Sequence, residues 1–150
     1  MNATGLAFRL NAERRAAQLA AFNARREIEW FGFEGAFAEP STALITFRHL
    51  DPGAQGGGGT AAINGGVIAA GFDAAFVLAG LAQYDVEVVV TLELSVQFLN
   101  LARVGGGLAF QAQVVRSAKN FCFVRGTLSD RAAPAAPPMA LASGMVAPAR

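Results

Sequence analysis

The feature that most constrains the fold is a long apolar segment near the middle of the chain. Residues 64–82 read NGGVIAAGFDAAFVLAGLA and carry one charged side chain, Asp73. Their length suits an α-helix, and a helix that is apolar on nearly every side is buried over most of its surface. Asn64 is placed to cap its first turn. The other elements are therefore expected to wrap around this helix.

A membrane span is the alternative for an apolar segment of this length. Asp73 would then lie in the middle of a bilayer, where a carboxylate costs about 3 kcal/mol. We therefore favour a helix buried in a protein core and expect no membrane partner. The N-terminal residues reach Arg9 and Glu13 before any apolar run of the length of a secretory signal. Together with a single cysteine, Cys122, this predicts a cytoplasmic protein.

The segments around the central helix read as strands, turns and one more helix. Residues 12–27 are rich in Ala, Arg, Glu and Leu and follow Asn11, an N-cap residue. Residues 51–63 contain four consecutive glycines and predict a mobile loop. Strands are expected at 30–38, 43–49, 90–98, about 108–116, about 121–129 and near 140–147. One apolar helix among strands in hairpin succession predicts an α+β chain whose antiparallel sheet curls around that helix.

The strand at residues 90–98, VTLELSVQF, has the clearest pattern. Strict alternation places its apolar side chains on one face and its polar ones on the other. The apolar face is expected to carry Val90, Leu92, Leu94, Val96 and Phe98. The polar face is expected to carry Thr91, Glu93, Ser95 and Gln97.

Composition removes several classes of function. Twelve basic against eleven acidic residues give a net charge of +1, which supplies no field for a nucleic acid partner. One cysteine and one histidine, His49, exclude an internal disulfide framework and a Cys/His zinc site. Charged residues make up only 15% of the chain, and a small monomer needs surface charge to stay in solution, so we expect a homo-oligomer.

Asp73 is the only charged residue between Asp51 and Asp85. A carboxylate is rarely buried without a partner, because removing its charge from water costs several kcal/mol. It could sit on a thin exposed stripe of the helix or accept a hydrogen bond from a strand. It could equally be a working acid or base, and the residue pattern leaves both interpretations open.

Gly65 and Gly66 follow Asn64 where the helix begins, so unpaired backbone N–H groups and the positive end of the helix dipole are accessible there. A carboxylate and a helix N-terminus are two of the parts that acyl transfer requires. Gly65 and Asp73 are eight residues apart, about 12 Å along a helix at 1.5 Å per residue. They cannot both touch one carbonyl group within one chain. A site built from both would combine two subunits of a dimer.

The sequence resembles the hotdog-fold acyl-CoA thioesterase superfamily, of the phenylacetic-acid-pathway (PaaI-like) type. In that family His-Gly-Gly begins the central helix and Asp follows nine residues after the His, a spacing kept here by Asn64-Gly65-Gly66 and Asp73. The resemblance continues through VTLELSVQFLNLARVG at residues 90–105 and through the VVRSAKNFCFVRGTLSD hairpin. It covers roughly residues 30–147. It implies a single hotdog domain at 1–150, with residues 1–29 as an N-terminal helical extension.

The resemblance also implies roles for particular residues. Asp73 would be the nucleophile or general base, the Gly65 N–H of the other subunit would hold the oxyanion, and Thr91 would orient water or Asp73. The substrate would be an acyl-CoA, bound by a homodimer or a dimer of dimers without metal or other cofactor. The residues expected to contact substrate are Gly66, Arg103, Arg116 and Lys119, the three basic ones at the CoA phosphates. Each basic residue taken singly also fits an ordinary solvated turn.

Two departures from the family pattern bear on activity. Asn64 stands where the family carries His and can hydrogen-bond a thioester carbonyl, but it cannot transfer a proton. A polar residue common in the family about six positions upstream falls on Gly58. A non-catalytic acyl-CoA-binding protein is therefore the alternative to a thioesterase. Hydration of an enoyl thioester, or its reverse, ranks lower because it needs a His beside the carboxylate, and His49 lies outside the motif.

Other chemistries lack their residues. GAQGGGGT has no Lys of a phosphate-binding loop, and no Ser stands in a G-x-S-x-G setting. Cys122 falls in a predicted strand, where a small core residue is the usual role. The aromatic residues Trp30, Phe31, Phe33 and Phe37 are expected to pack the core, with one or two lining an acyl or aryl pocket.

Overall fold

A six-stranded antiparallel sheet wraps around one long helix in the computed structural model, which describes residues 4–56 and 60–150. The helices are α1 (Ala12–Asn23), α2 (Arg26–Phe31) and α3 (Gly65–Leu81), with a 3₁₀ turn at Pro52–Ala54. The strands are β1 (Phe33–Ala38), β2 (Thr42–Phe47), β3 (Val89–Phe98), β4 (Leu108–Ser117), β5 (Cys122–Asp130) and β6 (Ala140–Pro148). The strand order β1-β2-β4-β5-β6-β3 leaves β1 and β3 at the two edges. The predicted α+β arrangement is confirmed.

The central helix begins and ends close to where its sequence pattern predicts. Asn64 caps it by accepting a hydrogen bond from the Gly66 N–H at 2.7 Å. Most of the helix from Ile68 to Leu81 is buried. Every helix within the described residues falls short of the length and apolarity needed to cross a bilayer.

Glycines bring the central helix into close contact with the sheet. A Cβ atom at Gly71 would lie 2.2 Å from the Phe110 ring of β4. On the strands, a Cβ atom at Gly126 or Gly144 would lie about 3 Å from the Phe76 ring of α3. Aromatic rings therefore occupy the space that side chains at these glycines would take, and they form much of the core.

A buried glutamine satisfies backbone groups beyond the C-terminal end of α3. Gln18 of α1 donates from Nε2 to the Val86 carbonyl at 2.8 Å, with the Leu81 and Tyr84 carbonyls at 3.4 and 3.3 Å. The last carbonyls of a helix lack partners within the helix, so this side chain replaces water that burial has removed. Gln18 thus joins α1 to the end of the central helix.

The N-terminal helix is shorter than predicted, and a second helix takes the start of the expected first strand. The single helix predicted at 12–27 is wrong: α1 ends at Asn23, and α2 extends to Phe31. Phe22 and Ile28 are both buried, yet a continuous helix at 100° per residue would point them in directions about 120° apart. The break between α1 and α2 lets both side chains reach the core.

Trp30 was expected in the core and is instead 77% exposed at the end of α2. Phe33 is buried and Phe37 partly buried, as predicted. The remaining strands match the predicted ones to within a few residues, and the turn at Glu39-Pro40-Ser41 joins β1 and β2, with a cis peptide bond at Glu39–Pro40. The predicted mobile loop at 51–63 contains residues 57–59, which lie outside the described residues.

Strict alternation along β3 is also wrong, because a β-bulge interrupts it. Thr91 pairs with Val146 and Glu93 with the adjacent Met145, so Leu92 is an extra residue in β3. Leu94 and Val96 pack against the core as expected. Before the bulge the faces exchange: Val89 is buried, and Val90 and Leu92 are exposed. A bulge shifts the two-residue period by one, which reverses the direction of the side chains that precede it.

The edge strand β1 is occupied by a side chain from α1. Asn23 donates from Nδ2 to the Gly35 carbonyl at 3.1 Å and accepts from the Gly35 N–H at 2.8 Å. Both backbone groups of this edge residue are therefore satisfied within the chain.

Substitution of Gly71 by Ala tests the contact between the helix and the sheet. Alanine in a helix interior usually stabilises by about 1 kcal/mol relative to glycine. Here the added methyl meets the fully buried Phe110 ring, and overpacking of this kind costs about 1–3 kcal/mol. We expect Gly71→Ala to lower the midpoint of urea unfolding. Gly106→Ala is the matched control, because a Cβ there meets nothing within 4 Å; equal midpoints for the two variants would contradict the packing argument.

Candidate active site

Asp73 lies in the middle of α3 and is exposed within the single chain, although residues 74–81 are buried. Its Oδ1 accepts a hydrogen bond from the Thr91 Oγ1 at 2.5 Å. This arrangement fits a carboxylate that has no catalytic role, lies on an exposed stripe of the helix and accepts a hydrogen bond from a strand. It equally leaves a carboxylate oriented by one donor and open to a ligand, which is what a catalytic base or nucleophile requires.

The β-bulge explains how Thr91 reaches Asp73. If every residue of β3 alternated regularly, Thr91 would point to the opposite face of the sheet from Leu94 and Val96, which pack against the core. With the bulge, Thr91 faces the central helix. β-Bulges recur next to active sites, where they redirect a side chain.

The first backbone N–H of α3, that of Gly65, is free to bind a ligand. Asn64 accepts the Gly66 N–H, so that group is already used. Among residues 4–56 and 60–150 the Gly65 N–H has no hydrogen-bond partner. A Cβ atom at Gly65 would lie 3.4 Å from the Phe98 ring, so the edge strand β3 ends beside this donor.

The structure does not bring Gly65 and Asp73 together within one chain. They belong to the same straight run of α3, where eight residues span about 12 Å. The single chain therefore holds half of each expected site: a carboxylate with its threonine, and a separate N–H donor.

The free edge of the sheet offers a surface for a second subunit. Large exposed apolar side chains cluster on β3 and on the segments that flank it: Val88, Val90, Leu92, Phe98, Leu99, Leu101 and Val104. An edge strand with exposed apolar side chains readily pairs with another strand.

The three basic residues expected at CoA lie at opposite ends of the central helix. Arg103 forms an isolated bridge with Ala62, two residues before the N-cap Asn64. Arg116 ends near the β4–β5 turn that carries Lys119, and this turn lies by the other end of α3, where the Tyr84 hydroxyl donates to Ala118. The 17 residues of α3 span about 25 Å, so one chain cannot use all three on one phosphate group.

Two cavities follow one face of α3. The smaller, about 80 Å³, lies beside Asp73 and is walled by Ile28, Phe31, Phe33, Ala74 and other mainly apolar side chains. The larger, about 280 Å³, lies towards the N-terminus of the helix and is lined by Trp30, Phe31, Asp51, Gly53, Ala54 and Val67. Phe31 borders both. Sequence reasoning listed Phe31 among the aromatic residues but had no signal for its position between two cavities.

Cys122 is fully buried in β5, and burial raises the pKa of its thiol to about 11. Burial also raises the pKa of the neighbouring Tyr84 hydroxyl. A thiol that stays protonated at neutral pH is a poor nucleophile, so the geometry agrees with a core role for Cys122. No cluster of three potential metal-ligating side chains occurs in the part of the chain that the structure describes.

The single thiol gives a test of this packing. We expect folded protein at pH 8 to react with a thiol reagent many times more slowly than free cysteine, because the thiol is both inaccessible and protonated. The same absorbance measurement in denaturant should show one thiol per chain. Rapid reaction of the folded protein would contradict the buried position.

Sequence comparison finds one family to which part of the chain is similar. A family model described as the thioesterase superfamily matches residues 61–132, the region that holds α3, β3, β4 and β5. No curated protein is similar enough in sequence to be matched. Together with the fold described above, this match supports the resemblance of the chain to the hotdog-fold thioesterase superfamily.

Solved structures support the fold. The PaaI protein of the phenylacetic acid degradation operon of E. coli superposes with a TM-score of 0.75 at 18% identity, covering 93% of this chain and 97% of that one. A thioesterase family protein from Silicibacter pomeroyi gives 0.71 at 19% identity, covering 89% and 96%. Zebrafish thioesterase superfamily member 2 gives 0.70 at 16% identity, covering 91% and 96%. The predicted hotdog fold is confirmed.

Proposed function

We propose that this protein is an acyl-CoA thioesterase that hydrolyses an acyl- or aryl-CoA to a free acid and CoA. The observation that carries the proposal is the Thr91–Asp73 hydrogen bond on an accessible face of the central helix in a thioesterase-superfamily fold. The carboxylate has one oriented donor and free lone pairs, and a cavity lies beside it.

Asp73 can act by either of two routes, as a nucleophile or as a general base. As nucleophile, its carboxylate attacks the thioester carbonyl, the tetrahedral oxyanion collapses with loss of CoA thiolate, and water hydrolyses the resulting mixed anhydride. As general base, it takes a proton from water while the water oxygen attacks the carbonyl; the tetrahedral oxyanion then collapses with loss of CoA thiolate, which takes up that proton. Both routes yield a carboxylic acid and CoA. Thr91 holds the carboxylate in position in both.

The Gly65 N–H is proposed to stabilise the oxyanion. It is the first donor of α3, it has no partner among the described residues, and the helix dipole favours negative charge there. Asn64 fixes the turn through Gly66, and its side-chain amide N–H₂ is proposed to donate to the thioester carbonyl.

A complete site requires two chains. Antiparallel pairing of β3 with β3 of a second copy covers the exposed apolar side chains of that edge. It also turns the helix start of one subunit towards the middle of the helix of the other, which would bring Gly65 near the second subunit's carboxylate. Arg103 of one chain, with Arg116 and Lys119 of the other, is then the proposed set for the CoA phosphates, and Gly66 would line the entry. No metal or redox cofactor is proposed.

Acyl-CoA binding without hydrolysis is the second candidate. Its support is Asn64, whose side chain cannot transfer a proton and whose oxygen is already held by the Gly66 N–H. Hydration of an enoyl thioester has less support, because His49 follows β2 and its carbonyl packs against Gly32. An acyl-CoA that raises the melting temperature without releasing CoA would favour the binding protein.

Replacement of Asp73 by Asn tests the catalytic role. The amide keeps the shape of the carboxylate and can still accept from Thr91, so the fold should be retained. It cannot serve as base or nucleophile, and we expect kcat/KM for CoA release from a panel of short, medium, long and aryl acyl-CoAs to fall at least about 100-fold.

Glu93→Gln is the matched control for charge. Glu93 is an exposed carboxylate on the same strand, two residues from Thr91, and its loss should leave turnover within about twofold. Full activity in Asp73→Asn would remove the proposed mechanism, and equal losses in both variants would point to an effect of net charge.

Replacement of Leu92 by Lys tests the shared site. Leu92 is 56% exposed at the β3 bulge, so its change should not disturb the chain's own core. A charge on a pairing edge disfavours strand association, and we expect light scattering to show monomers and activity to fall in parallel. Leu141→Lys, on β6 with 37% exposure, is the matched control. A monomer that keeps full activity would rule out a site shared between chains.

A further inference from the structure

Phe31 borders both cavities that follow α3, and this position has a consequence for substrate choice. On the helix, Val67 borders the larger cavity, and Ala70 and Ala74 border the smaller one. Residues with these three- and four-residue spacings share one helical face, so the cavities lie in succession beneath α2. Phe31 is the aromatic residue of α2 that borders both.

The Phe31 ring is held firmly in this position. It stacks on the buried Phe33 ring with centroids 5.1 Å apart and an interplanar angle of 12°, and Trp30 meets it edge-on at 4.8 Å. Gly32 ends α2 directly after Phe31 with a φ of 72°, and a Cβ atom there would lie 2.2 Å from the His49 carbonyl oxygen. Backbone and side-chain contacts thus both fix the ring.

The smaller cavity is the one next to the reacting group. Asp73 borders it, and its other walls are mainly apolar, with Arg25 and Glu27 as the remaining charged members. The Arg25 guanidinium lies over the Phe22 ring and donates to the Glu87 carbonyl. A thioester carbonyl placed at Asp73 therefore has an apolar space for its acyl group within reach.

We propose that the acyl group occupies the small cavity and that Phe31 limits its length, which makes short-chain acyl-CoAs the preferred substrates; this inference rests on the proposed function. A volume of about 80 Å³ accommodates about three groups the size of a water molecule, at roughly 30 Å³ each. A butyryl chain fits within it, whereas an octanoyl chain meets the Phe31 ring. Removal of the ring would connect the space to the cavity of about 280 Å³.

The test compares kcat/KM for acetyl-, butyryl- and octanoyl-CoA in native protein and in Phe31→Ala. One methylene in an apolar pocket changes specificity about 10- to 200-fold, so native protein should prefer butyryl over octanoyl at least tenfold. Phe31→Ala should raise the octanoyl-to-butyryl ratio at least tenfold. Phe31→Leu should also raise the octanoyl-to-butyryl ratio, but by a smaller factor than Phe31→Ala. It replaces the alanine variant in the test if that variant does not fold.

Two further variants separate a specific effect from general loosening. Phe37→Ala removes a half-buried ring of the same size that packs against Phe8, and it should leave the ratio unchanged. Ala70→Leu fills the small cavity and should lower butyryl turnover more than acetyl turnover. Native protein that prefers octanoyl, or an unchanged ratio in Phe31→Ala, would overturn the proposal.

Absence of thioesterase activity can be distinguished from absence of the length limit. If no acyl-CoA releases CoA, the same series is measured by shifts in melting temperature, which report binding without chemistry. A larger shift with butyryl-CoA than with octanoyl-CoA in native protein, reversed in Phe31→Ala, would support the length limit and reject hydrolysis. Equal shifts for both chain lengths in both proteins would reject the length limit as well.

Discussion

The fold depends on how closely the central helix approaches the sheet. Gly71 allows the Phe110 ring of β4 to lie against the helix backbone. In the reverse direction, the Phe76 ring of the helix lies against the backbone of glycines on β5 and β6. These contacts set the distance between α3 and the strands β4, β5 and β6. That distance in turn determines whether the Thr91 hydroxyl of β3 can reach the carboxylate of Asp73. The geometry of the candidate site therefore depends on the packing of the core.

Asp73 lies on a side of the central helix that the sheet covers only in part, beside the edge strand β3. The residues that follow it on α3 are buried, whereas the carboxylate is open to solvent and to the cavity beneath α2. A charge in this place adds no packing energy, and an apolar side chain would satisfy the fold as well. Its single donor and its neighbouring cavity are features that a ligand would use. The fold tolerates the carboxylate because one side of the helix is left uncovered.

Local patterns predicted the central helix well, because its signals lie within the segment itself. Asn64 caps it, and the apolar run extends to Leu81. Features that depend on distant residues were missed. The break after Asn23 follows from the need of Phe22 and Ile28 to reach one core, and the β3 bulge is visible only in its pairing with β6. For the site, sequence named Asp73 and Thr91, but the cavities and the place of Phe31 arise from how α2 packs over α3.

The two edges of the sheet differ, and this difference limits how two copies of the chain can pair through their sheets. Asn23 holds both backbone groups of Gly35 in β1, whereas β3 carries exposed apolar residues along an unblocked edge. Pairing of β1 with β3 of another copy would repeat without end and form a fibre. Because Asn23 already holds Gly35 of β1, the two-fold pairing of β3 proposed above would not continue into a longer sheet. Asn23, a residue far from the candidate site, would thus prevent the sheets of successive copies from pairing edge to edge.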